Sequence, residues 1–171
     1  WFLENSWVGN FKSGVIMQTN FFSKLPRVYL IAEIGVNHNG EMDLAKDMVL
    51  AAKGAGANAV KFQTFTASSL ATPSTPKVRY QEVSTSQGET HYEMLHKLEL
   101  SKSQHYELLD FCAMVGIDFL STPYDVDSAK FLNEIDVKMF KTASADIVDL
   151  PLQNYIASTG KPLIAATGMA D

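Results

Sequence analysis

Lys141-Thr142-Ala143-Ser144-Ala145-Asp146, entered through Lys138-Met139-Phe140, is the stretch from which the rest of the chain can be read. An apolar run ends in a lysine, a serine follows three residues later, and a carboxylate stands two beyond that. This pattern is expected where a parallel strand delivers side chains to an anionic ligand. Three earlier segments end the same way: 28–33 with Glu33, 59–63 with Lys61 and Gln63, and 118–122 with Ser121-Thr122. Four strands that each finish in polar residues predict one shared rim.

Working outward, the run at 28–35 is almost wholly apolar and of strand length, which predicts a strand covered on both faces. Asn37-His38-Asn39-Gly40 supplies turn chemistry. Residues 42–56 carry apolar side chains at three- and four-residue steps and end in Gly54 and Gly56, predicting a helix. A second strand is expected over 59–65. The polar segment 66–90 has prolines and no period, and its length marks it as a lid or a disordered loop. A short helix at 91–98 follows. Ser101 with Gln104 matches a capping box opening a helix to Val115, whose stripe is Leu108, Leu109, Cys112 and Val115. Strands at 117–122, 137–142 and 162–167 alternate with helices at 125–135 and 150–158.

Five alternations imply parallel strands with right-handed crossovers. Both a doubly wound sheet and a β/α barrel satisfy this. No glycine-rich fingerprint follows the first strand, since Gly54-Ala55-Gly56 ends a helix and precedes a strand. Active residues spread over four strand ends favour the barrel. The expected fold is therefore α/β, a (β/α)8 TIM barrel truncated after about the fifth strand. Residues 1–27 read as an irregular N-terminal extension, and 28–171 as the N-terminal part of the barrel, the chain stopping directly after an apolar run.

The totals narrow the function. A net charge of −5 and a pI near 5.3 argue against a nucleic-acid surface, so any anion site must be a local group of cations. Cys112 is the sole cysteine, which leaves core packing as its expected role. No apolar run approaches the roughly 18 residues of a membrane helix, and none suits a signal peptide. The expectation is a soluble, cytoplasmic protein without a nucleic-acid or membrane partner.

Particular residues carry the chemistry. Glu33 sits within the most apolar strand, where an unpaired carboxylate would cost several kcal/mol, roughly. It is read either as catalytic or as the ion-pair partner of a lysine on a neighbouring strand. Lys61 and Gln63 share a strand face opposite Val60 and Phe62, so the polar pair points inward unless the lysine snorkels to solvent. Lys141 and Ser144 together suit a phosphate. Thr122 adds a hydroxyl or caps its strand end. Asp146 either touches substrate or caps the helix that follows. His38 is a ligand contact or a turn stabiliser. His91, His96 and His105 are read as surface residues, and no histidine pair has metal-ligand spacing.

Taken together, Ile31-Ala32-Glu33-Ile34-Gly35-Val36-Asn37-His38-Asn39-Gly40, Val60-Lys61-Phe62-Gln63-Thr64, Phe119-Leu120-Ser121-Thr122-Pro123, Phe140 through Asp146, and Ser158-Thr159-Gly160-Lys161-Pro162 closely resemble the sialic acid synthase family. The resemblance runs in order from about Val28 to the end. It implies a β/α barrel that condenses phosphoenolpyruvate with an N-acetylated hexosamine such as N-acetylmannosamine, releasing phosphate. By that resemblance Lys61, Thr122, Lys141 and Ser144 would hold phosphoenolpyruvate, and Glu33 would manage the water added at C2. Asp146 stands where many members have glutamate and would face sugar hydroxyls. The resemblance also implies a divalent metal, manganese or magnesium, with histidine ligands beyond Asp171, and a homodimer completed by a C-terminal antifreeze-like domain.

Three other functions compete. A DAHP or Kdo-phosphate type synthase would use the same donor with a phosphorylated sugar. A Schiff-base aldolase would use Lys141 as nucleophile. A non-enzymatic module would do neither, and residues 1–171 alone are expected to be inactive because five strands leave an open barrel edge.

Overall fold

The computed structural model describes residues 23–24, 28–72 and 90–168. Apart from residues 23–24, the expected extension at 1–27 lies outside the described residues, as does the greater part of the polar segment 66–90. What is described alternates as expected: β1 (Ile31–Gly35), α1 (Met42–Gly54), β2 (Ala59–Thr64), α2 (Ala67–Leu70), α3 (His91–Leu98), α4 (Lys102–Val115), β3 (Asp118–Pro123), α5 (Val126–Glu134), β4 (Phe140–Thr142), α6 (Leu150–Ser158) and β5 (Leu163–Ala165).

Local chemistry sets most of these boundaries. The Ser101–Gln104 capping box is present at the start of α4, and a second one, Thr90 with Glu93, opens α3. Gly116 ends α4 in the left-handed region that glycine tolerates best. Asp125 caps α5 by accepting the Ser128 amide.

All strand pairs are parallel and follow chain order, β1-β2-β3 in one sheet and β4-β5 in another, with β3 packed beside β4. A doubly wound sheet would place later strands on the far side of β1. The uninterrupted order is that of a barrel wall. The outer face carries the main core, where Val60, Phe62 and Phe119 meet Val49, Leu108, Cys112 and Leu132 from the helices. Leu108 is fully buried, so its truncation to alanine would cost roughly 2–5 kcal/mol.

The inner face is built in two tiers. Ala59, Leu120 and Met139 form an apolar floor with Ile31 and Ile164. Two residues further along each strand, alternation brings Glu33, Lys61, Thr122 and Lys141 to the same face, at the carboxyl ends. Parallel register aligns them, with Glu33 beside Lys61 and Gln63 beside Thr122.

Several expectations need correction. β1 is shorter than its apolar run, and Val28 and Leu30 are exposed rather than covered on both faces. β4 and β5 have only three residues each. A 3-10 turn over Ser144–Val148, invisible in the periodicity, links β4 to α6. His105 is buried, at 1% exposure, and is not a surface residue.

Candidate active site

A cleft of about 520 Å³ opens at the carboxyl ends of the strands and is lined by Glu33, Lys61, Gln63, Thr122, Lys141 and Ser144. The two lysine amines thus face one space. Lys61 Nζ lies 2.7 Å from Glu33 Oε2 and donates to Thr122 Oγ1 at 2.8 Å. The lysine is nearly buried while the glutamate side chain is 53% exposed, so the expectation of a buried carboxylate fails. The pleat does put Glu33 on the inner face, but the cleft above it is open, and a lysine on the neighbouring strand partners it.

Gly35 makes this pairing possible. A β-bulge shifts the register between Glu33 and Gly35, and Gly35 takes a positive φ of 58°. A Cβ there would stand 3.3 Å from Glu33 Oε1 and 3.5 Å from Gln63 Nε2, crowding the two polar arms that enter the cleft.

Lys141 sits on β4 with its amine donating to the Thr142 carbonyl at 2.7 Å. Burial pushes its pKa below the ordinary lysine value, and the nearby Lys61 ammonium pushes the same way, only partly opposed by Glu33. Two lysines therefore line one cleft whose single carboxylate is paired with Lys61. A dianion placed between them would relieve that imbalance, and Ser144, at the start of the 3-10 turn, adds a hydroxyl on the same rim.

Asp146 and His38 are outside the cleft lining. Asp146 lies on the 3-10 turn with Oδ2 buried and without a hydrogen-bond partner. Burial raises its pKa, and Asp149 adds to the rise. The capping role considered for it belongs to Asp149, which accepts the Leu152 amide at 3.0 Å. His38 is buried in the first turn, where its Nδ1 accepts the Gly40 amide at 3.0 Å and its ring packs against Phe62 on the helix-covered side. Of its two readings, this geometry favours the turn stabiliser.

Sequence reasoning missed Asn37 and Tyr124, both of which line the cleft. Tyr124 follows Pro123, one residue past β3, and packs edge-on against Phe65. Its hydroxyl stays protonated to higher pH than usual because it is buried and because Asp146 and Glu33 lie near. The signal available was its place just beyond a strand end.

Among the described residues no group of three or more His, Cys, Asp or Glu side chains could hold a metal ion, and no helix is long and apolar enough to cross a membrane. A second cavity of about 310 Å³ lies at the opposite end of β4 and β5, where Lys161 is paired with Asp136 and Lys138 with Asp118.

Comparison with known proteins locates this architecture. Residues 48–171 match the NeuB family. The chain is 46% identical over 143 residues to the N,N'-diacetyllegionaminic acid synthase of Legionella pneumophila, a match covering 84% of this chain and 40% of that protein. It is 36% identical to the human N-acetylneuraminate-9-phosphate synthase, over 82% of this chain and 39% of the relative. Among solved structures, the N-acetylneuraminic acid synthetase of Leptospira borgpetersenii, in complex with citrate, superposes with a TM-score of 0.70 at 30% identity, covering 84% of this chain and 46% of that one. The chain spans less than half the length of these relatives.

Proposed function

The chain belongs to the NeuB family, and on that premise we propose that it carries the donor-binding part of a nonulosonic acid synthase, which joins phosphoenolpyruvate to an N-acetylated hexosamine and releases phosphate. The observation that carries this reading is that Lys61 and Lys141 line one cleft in which Glu33, paired with Lys61, is the one acidic side chain of the lining. Phosphoenolpyruvate brings a phosphate and a carboxylate on three carbons, which matches two amines backed by the hydroxyls of Thr122 and Ser144.

In this reaction the enol carbon forms a bond to the sugar aldehyde carbon, and the aldehyde oxygen takes a proton to become a hydroxyl. Water adds at C2, phosphate leaves with its bridging oxygen, and a keto acid results. Lys61 and Lys141 orient the donor and neutralise its charge. Glu33 takes the proton from incoming water in this proposal, a role supported by its exposure beside Lys61. Gln63 contacts substrate from the cleft lining, and a sugar-side role for Asp146, which lies outside that lining, rests on the family resemblance alone. The residues described do not by themselves form a metal site. A manganese or magnesium ion in the complete enzyme would supply Lewis-acid polarisation of the aldehyde. Closure of the barrel, a homodimer and a cytoplasmic location belong to the same proposal and rest on the family resemblance.

The test is phosphate release by the full-length protein from phosphoenolpyruvate, with N-acetylmannosamine, N,N'-diacetylated sugars and a phosphorylated sugar as acceptors, with and without manganese. Release that depends on an acceptor supports the proposal. Absence of release with every acceptor, or borohydride trapping of a keto substrate on Lys141, would overturn it in favour of another chemistry.

A further inference from the structure

Behind the cleft, on the helix-covered side of the sheet, a chain of buried polar groups ties α4 to the ends of β2 and β3. His105 Nδ1 lies 2.9 Å from the Ser101 carbonyl, its Nε2 lies 2.8 Å from Thr64 Oγ1, and Thr64 Oγ1 lies 2.6 Å from Ser121 Oγ. His105, Thr64 and Ser121 are exposed by 1%, 5% and 1%.

The geometry fixes the direction of every bond. A carbonyl only accepts, so Nδ1 carries the proton. In a neutral ring Nε2 is then the acceptor, and the Thr64 hydroxyl must donate to it. That leaves Thr64 Oγ1 to accept from Ser121. Each proton has one place to go, and burial lowers the ring's pKa, which favours the neutral form. The Ser101 carbonyl also receives the His105 amide, and Ser101 is itself locked by its capping box. Phe131 and Phe119 meet the ring edge-on at centroid distances of 5.3 and 6.5 Å. The ring is clamped on every side.

What it clamps is one residue from the cleft on both strands. Thr64 follows Gln63, Ser121 precedes Thr122, and Gln63 and Thr122 are register partners. The next pair, Thr64 with Pro123, lacks one ladder donor because proline has no amide hydrogen. At that position the strands are joined by the Thr64–Ser121 bond and by the Tyr124 amide on the Thr64 carbonyl, 3.1 Å.

We propose that His105 is a positioning residue, which through Thr64 and Ser121 holds the ends of β2 and β3 in the register that presents Gln63 and Thr122 to the substrate. Its effect on substrate rests on the function proposed above, whereas the strand placement does not. In His105→Phe an aromatic ring, though a larger one, is kept but two hydroxyls lose their order. The KM for phosphoenolpyruvate in the full-length enzyme should rise about tenfold while kcat changes by less than about threefold. His105→Gln, whose carbonyl can again accept from Thr64, should recover most of the loss. A residue that only filled the core would lower Tm and leave the KM of the folded enzyme alone.

Two measurements stand apart from turnover. Nitrogen-15 spectra of histidine-labelled wild-type protein should show His105 as the Nδ1–H tautomer, and the Gln63 side-chain amide signals should shift in His105→Phe. If wild-type enzyme neither binds nor turns over phosphoenolpyruvate, the functional proposal falls while these spectra still decide the role of His105. An Nε2–H tautomer, or a folded His105→Phe with wild-type Gln63 signals, would overturn it. Should His105→Phe fail to fold, the wild-type tautomer and the Gln63 signals of Thr64→Val decide.

Discussion

The two ends of the strands treat charge in opposite ways. At the amino ends two lysines have carboxylates of their own: Lys138 pairs with Asp118, which also accepts from the Tyr29 hydroxyl at 2.5 Å, and Lys161 pairs with Asp136. At the carboxyl ends Glu33 pairs with Lys61, and the Lys141 amine donates to a backbone carbonyl instead. The first end is electrostatically finished. The second keeps a cationic surplus in a cleft, within a chain whose net charge is −5. A surplus of this kind is costly without a ligand, and it marks where an anion is expected.

Swapping lysine for methionine at each end gives the largest contrast. Lys61→Met or Lys141→Met should lower kcat/KM for phosphoenolpyruvate by roughly 100-fold or more in the full-length enzyme, since each removes a charge-assisted contact to the donor. Lys138→Met and Lys161→Met should stay within about twofold, because neither lysine lines the cleft. Equal losses at both ends would remove the distinction between them.

Glu33→Gln sharpens the same contrast from the anionic side. Replacing the cleft's carboxylate deepens the cationic surplus and removes the proton acceptor at the mouth of the cleft. The expected result is a fall in kcat of about 10²–10⁴ with no rise in the KM for phosphoenolpyruvate. A higher donor KM with kcat unchanged would mean that Glu33 serves only to hold Lys61.

The same inequality shows why the carboxyl-end site was largely legible in the sequence. β2 alternates strictly, so Val60 and Phe62 against the helices force Lys61 and Gln63 inward. The capping box at Ser101 marked α4 to the residue. The ion pair of Glu33 with a lysine on a neighbouring strand was legible, but its exposure was not, because a continuous apolar run says nothing about whether the cleft above it is open. His105 was misplaced although it lies three residues before Leu108 and seven before Cys112, on the same buried stripe; its polarity hid a position that the period indicated. The 3-10 turn after β4 left no signal, since its five residues carry no repeat, and so Asp146 was offered a capping role that Asp149 fills.

Protonation offers a smaller, graded test. With its pKa lowered by burial and by Lys61, Lys141 loses its proton below the ordinary lysine value of 10.5. Affinity for phosphoenolpyruvate or inorganic phosphate should be full below that lowered pKa and fall as pH rises through it, with proton uptake on binding in that window. Stability of the free protein should run the other way. The folded state sheds this proton before the unfolded chain does, so unfolding becomes harder as pH climbs from the lowered value toward the ordinary one. Lys141→Arg, which stays charged, should flatten the binding profile. An unchanged alkaline profile in that variant would show that Lys141 does not govern it.

Asp146 should give the smallest effect, and it separates the cost of an unsatisfied charge from the use of a paired one. Its Oδ2 is buried without a partner, and burial raises its pKa above the ordinary 3.8, with Asp149 adding repulsion. A raised carboxylate pKa means the folded state holds the proton longer than the unfolded chain. This group therefore favours folding below the ordinary value and loses that contribution as pH rises through the raised one. At neutral pH the carboxylate is a mild liability, unlike Glu33, whose charge answers Lys61. Asp146→Asn should raise Tm by about 2 °C at neutral pH, with the gain vanishing in acid, while the sugar KM rises if the side chain meets the acceptor. A lower Tm at neutral pH would mean that the backbone hydrogen bond at Ala143, which favours the charged form, outweighs the cost of burying Oδ2 without a partner.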